Sequence, residues 1–124
     1  MSIDAARRSV RDNLFAAIDR QDMPAFLACI AERASFRFGS TPAVVGHAAI
    51  GEAVNGFFAT IGGLKHVLNK TVADETTLVC EGEVTYTRHD ETQITLPFVN
   101  VFEFDDGLIS DYRIYIDIAP LYAQ

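Results

Sequence analysis

The chain has 124 residues, of which 49% are apolar, and a formal net charge of -7 from 10 basic and 17 acidic side chains. That is the size of one domain, long enough to bury a core without disulfides or metals, so a single domain over residues 1–124 is expected. The acidic balance excludes the broad basic surface that nucleic acid requires, and no window approaches the roughly 18 unbroken apolar residues of a membrane span.

The N-terminal MSIDAARRSV has no apolar core of signal-peptide length, which predicts a cytoplasmic protein. Cys29 and Cys80 are far apart and lack CxxC spacing, so two buried free thiols are expected.

In chain order, Ile3, Ala6, Val10, Leu14, Ala17 and Ile18 share one face at helical spacing. Asp22 is an N-cap candidate with Pro24 in the first turn of a short second helix, and Met23, Phe26, Leu27 and Ile30 are its apolar residues. Ala34 to Phe38 alternates like a short strand, which Gly39 to Pro42 breaks. A third helix follows Gly46 with the stripe Ile50, Val54, Phe57, Phe58 and Ile61, and Gly62-Gly63 is expected to end it.

The remainder reads as strands near Leu64–Val72, Thr76–Arg88, Gln93–Phe104 and Leu108–Ile118. Short turns join them, the sharpest at Asp106-Gly107, so they pair antiparallel. The fold class is α+β: three N-terminal helices packed in the concavity of a strongly curved, mostly antiparallel sheet, a cone-shaped, cystatin-like barrel. Asn100, Arg113 and Asp117 stand among large apolar residues in the last two strands, where polar groups need partners or a pocket.

Gly46-His47-Ala48-Ala49-Ile50, the strand-opening His66, Glu81-Gly82-Glu83-Val84-Thr85-Tyr86 and the closing DGLISDYRIYIDIAPLY carry a resemblance. Through them the chain resembles the SnoaL-like branch of the nuclear transport factor 2-like superfamily over nearly its whole length, and the polyketide cyclases and ketosteroid isomerases within it. Fold alone does not settle function among such relatives. By this resemblance the oxyanion aspartic acid of the ketosteroid isomerases falls on Asn100, their tyrosine on Leu14, and their base on Phe36 or Arg37. The Arg-x-Asp of limonene-type epoxide hydrolases falls on Glu81 and Glu83, and their second aspartate on Ile114. The chain therefore departs from both mechanisms.

In both families the position of Ile114 faces the cavity. Strand alternation then turns Tyr112, Ile114 and Ile116 inward, and Arg113, Tyr115 and Asp117 outward. Asn100 is expected to face inward with Phe98 and Phe102, as a ligand contact or as an amide satisfying the backbone. His66 is a candidate acid or base, or a buried histidine holding a carbonyl. Glu83 joins the site only if its strand face is inward; Leu78, Cys80, Val84 and Tyr86 compete for that face. Asp117 belongs to a cross-strand network or dimer surface, or turns inward to pair with His66.

No metal or other cofactor is expected, because the three histidines are scattered and there is no phosphate loop. The expected catalytic residues are His66, Glu83 and Asn100, and the expected ligand contacts are Phe98, Phe102, Tyr112, Ile114 and Ile116. The expected partners are a small apolar molecule, with a carbonyl group, and a second copy of the chain. The chemistry would be acid–base isomerisation, cyclisation or dehydration; the alternative is a non-catalytic binding or dimerisation module.

Overall fold

The computed structural model of the protein describes residues 2–123. Helix α1 spans Ile3–Asp19, and the Ser2 hydroxyl caps it by accepting from the Ala5 N–H at 3.0 Å. Its buried face is Leu14, Phe15, Ala17 and Ile18. Ile3, expected on that face, is 70% exposed because the first turn extends beyond the core. Helix α2 spans Met23–Leu27, with Asp22 as its cap. Strand β1 (Ile30–Phe38) begins four residues earlier than the alternation alone indicated. It is followed by the short strand β2 (Val44–Val45) and helix α3 (His47–Phe58).

Helix α3 ends at Phe58, before Gly62-Gly63. Neither glycine has positive φ, so these residues do not form the left-handed helix stop that was expected. Gly63 instead opens strand β3 (Gly63–Ala73). Strands β4 (Thr77–Thr87), β5 (Gln93–Asp105) and β6 (Leu108–Tyr115) follow, and a short helix α4 (Ala119–Tyr122) closes the described chain. Between β5 and β6, Asp106 at φ 51° and Gly107 at φ 81° form the two-residue turn read from the sequence.

The sheet has the order β2-β1-β6-β5-β4-β3 and stays open, with β2 and β3 at its edges. All pairings are antiparallel except β1 with β6. The three N-terminal helices cover its concave face, as expected. Three register irregularities bend it: one in β3, where the register steps from Leu68 to Lys70, one in β6, between Ile109 and Asp111, and one in β1, between Ile30 and Ser35. The second resets the alternation so that both Ile109 and Tyr112 point into the core, at 0% and 1% exposure.

Cys29 and Cys80 are free and buried, and burial pushes both thiols above their ordinary pKa. On the outer face Arg113 bridges Glu103, at 2.7 Å, and Asp111, forming the cross-strand network expected of that face. No helix among the described residues is long and apolar enough to cross a membrane.

Candidate functional site

The cone encloses a cavity of about 440 Å³, within the range of small-molecule sites. Its walls come from every layer of the fold: Ile18 of α1, Phe26 of α2, Phe36 of β1, Phe57 of α3, and the inner faces of β3 to β6. Among the described residues that line it there is no Asp, Glu, Lys or Arg. The polar groups are few: His66, Asn100, Tyr86 and Tyr112, with Thr41 and Tyr122 completing them.

His66 lies on β3 at the sheet edge. Its ring sits between Phe15, at 4.9 Å between centroids, and Phe98, at 5.3 Å. Asp19, the last residue of α1, grips it twice. One carboxylate oxygen accepts the His66 backbone N–H at 3.0 Å, and the other lies 2.6 Å from Nδ1. The second bond places the proton of a neutral ring on Nδ1, which leaves the Nε2 lone pair without a partner among the described residues. An acidic residue at a helix C-terminus opposes the helix dipole. The two bonds to His66 offset that cost, and this local conflict was the sequence signal that could have pointed to Asp19. The aspartate considered for this role, Asp117, is instead exposed, and its carboxylate accepts the Ala119 N–H at 3.1 Å just ahead of α4.

Asn100 stands at the centre of β5, flanked by Cys80 on β4 and Ile114 on β6. It is 1% exposed, and its Oδ1 is the one fully buried side-chain polar atom without a hydrogen-bond partner among the described residues. The alternative of an amide satisfied by neighbouring backbone is therefore not realised for that atom. Tyr112 and Tyr86 add phenols to the same walls, open to the cavity. Burial, reinforced for Tyr86 by the neighbouring Tyr122, pushes both phenols well above their ordinary pKa, so both remain neutral donors.

Phe98, Asn100, Tyr112, Ile114, Ile116 and His66 all line the cavity. Phe102 does not: it lies deeper, fully buried, with its ring 4.8 Å from Tyr112 and 6.0 Å from Phe15. Glu83 is on the other side of the sheet. Strand β4 pairs with β5 in unbroken register, so alternation sends Leu78, Cys80, Val84 and Tyr86 inward and leaves Glu81 and Glu83 exposed outside. With no bulge in β4 to exchange its faces, Glu83 has no route to the cavity. Tyr86 was missed because a tyrosine on an apolar strand face reads as packing; the signal was its hydroxyl, which needs a partner when buried.

A helix-filled, half-open cone with an apolar cavity and a handful of polar groups defines a small-molecule-binding α+β fold. The chain belongs to the SnoaL-like domain family, which matches residues 12–112. No curated protein matches it in sequence. Among solved structures, TerC co-crystallised with polyporic acid is 18% identical with a TM-score of 0.85, covering 94% of this chain and 95% of that one. An NTF2-like protein of unknown function from Burkholderia pseudomallei is 20% identical with a TM-score of 0.85, covering 98% and 95%. An LEH-like epoxide hydrolase from M. tuberculosis is 15% identical with a TM-score of 0.80, covering 95% and 87%. At these identities the likeness is one of fold.

Proposed function

We propose that the protein binds a small, uncharged, mostly apolar carbonyl compound in the cone and moves a proton on it, as in isomerisation, cyclisation or dehydration. One observation carries this reading: a carboxylate-anchored imidazole and a buried amide whose Oδ1 has no partner among the described residues share a cavity otherwise walled by apolar and aromatic groups. Asp19 orients the ring, His66 Nε2 takes the proton, and Asn100 holds the carbonyl oxygen by donating from its amide. The absence of ionised groups from the walls favours a neutral ligand, since a buried charge without a partner is costly. TerC, of similar fold, was crystallised with polyporic acid, which supports a ligand-holding cone.

The test is hydrogen–deuterium exchange α to the carbonyl of a bound aryl ketone, followed by NMR in D₂O. The protein is expected to accelerate exchange, and Asp19→Asn to slow it by about 10²-fold or more while the ketone stays bound. The nitrogen chemical shifts of His66 should then report loss of the Nδ1–H tautomer. A second reading, a binding module without catalysis, is favoured by the apolar residues at the catalytic positions of relatives: Leu14 is wholly buried and Ile114 offers no acid. Bound ketone that exchanges no faster than in buffer would decide for it.

We also propose a homodimer through the outer sheet face, where Val67, Val72 and Tyr115 are each 53% exposed. Exposed apolar side chains spread over one sheet face would be covered by a second copy across a two-fold interface. Sedimentation velocity should show a dimer that Tyr115→Glu converts to monomer. A wild-type monomer at all concentrations removes the proposal.

A further inference from the structure

We propose that the mouth of the cavity is a second binding subsite, built by Tyr86, Tyr122 and Thr60, which takes a hydroxyl group at the far end of the ligand. This rests on the small-molecule reading of the cone and adds a second point of recognition to it.

After β6 the chain leaves the sheet and turns across the mouth, where Ile116, Ile118 and Tyr122 join the cavity wall. Tyr122 is 51% exposed, which puts it at the rim. Arg88 holds the segment in place, with Nε donating to the Leu121 carbonyl at 2.9 Å and Nη2 to the Pro120 carbonyl at 3.1 Å. Its guanidinium is thus engaged with main-chain carbonyls and does not line the cavity. The segment lies beyond residues 12–112, so the family pattern does not define it.

Counting protons at the rim gives the chemistry. Thr60 Oγ1 lies 2.7 Å from the Phe57 carbonyl and 2.9 Å from the Tyr122 hydroxyl. A carbonyl only accepts, so the single Thr60 proton goes to Phe57. Tyr122 must then donate its proton to Thr60, which leaves its oxygen with lone pairs alone. Tyr86 sits edge-on to Phe57, at 5.6 Å between centroids, and lines the same cavity. Its hydroxyl donates to no other described residue, so its proton is free, and Tyr122 is near enough to add to the upward push on that phenol's pKa. The mouth therefore offers one acceptor and one donor. A ligand hydroxyl satisfies both, by donating to Tyr122 and accepting from Tyr86. An ether or ketone oxygen cannot donate to Tyr122. A carboxylate finds no cation, and an ammonium would be desolvated without a counter-charge.

The experiment measures calorimetric Kd values for benzophenone and chalcone, each as the parent, 4-hydroxy and 4-methoxy compound. The hydroxy compounds are expected to bind about three- to tenfold tighter than their parents, with no such gain for methoxy. Tyr122→Phe should erase the advantage. Thr60→Val should free the Tyr122 proton and move the preference toward methoxy, a reversal that a purely steric rim would not produce. Asn100→Leu should weaken all three alike and leave their ranking. Methoxy binding as tightly as hydroxy in the wild type, or a ranking unchanged in Tyr122→Phe, overturns the subsite while the cavity reading stands. Failure of every compound to bind at millimolar concentration overturns both.

Discussion

Asn100→Leu is expected to make the protein more stable and to abolish its recognition of a carbonyl ligand. Leaving a buried acceptor unsatisfied costs about 1–3 kcal/mol, and Oδ1 of Asn100 is in that condition. Leucine keeps the same branched shape and removes the unsatisfied group, and its bulkier methyls find room in the cavity that Asn100 lines, so a gain of about 1–2 kcal/mol in denaturant unfolding is expected. The same change deletes the amide that would hold a ligand oxygen, and ketone affinity should fall at least about tenfold. A polar group kept where an apolar one would be more stable is the signature of a site maintained for binding. If the variant is less stable and binds as before, the amide serves the fold and the carbonyl assignment fails.

The second large effect is structural. Gly82 lies on β4 opposite Leu68, next to the bulge in β3. A Cβ at this glycine would stand 2.1 Å from the carbonyl oxygen of Val67, and the obstruction is backbone, which cannot rotate away as a side chain does. Gly82→Ala is therefore expected to cost about 2–3 kcal/mol, at the upper end for overpacking, as the β3–β4 pairing opens. Because β3 carries His66, the loss should extend to the site. Amide exchange along Gly63–Ala73 should quicken more than exchange in β1, and the contact of the His66 backbone with Asp19 should weaken. Wild-type stability in Gly82→Ala would mean that β3 can move aside freely.

The elements of this fold were legible because its local signals agree. The Asp22-Met23-Pro24 cap and the Asp106-Gly107 turn each depend on a few neighbouring residues, and both stand where they were read. The inward run Phe98, Asn100, Tyr112, Ile114 and Ile116 was likewise available from alternation, once one position was fixed by resemblance. Gly62-Gly63 misled because a glycine pair marks a helix end or a strand start equally well, and the choice depended on where α3 could go on packing.

The faces and the partners were another matter. Strand β4 offers glutamates on one side and apolar residues on the other. The sequence permitted either side to face the cone if a bulge intervened, and only the unbroken pairing with β5 sent Glu83 outward. Asp19 and His66 are separated by 47 residues. No periodicity predicts their contact, because it arises where the end of α1 crosses the free edge of β3. The sheet order made that edge, and the edge left a backbone N–H for a carboxylate to accept. Likewise Thr60 and Tyr122 meet only because the chain after β6 folds back over the mouth. The sequence by itself determined the helices, the strands, their turns and the apolar character of the interior, since these depend on neighbours within a few residues. Tertiary structure alone decided which polar groups meet, because a hydrogen bond between distant segments exists only after the sheet has curved and the helices have docked against it.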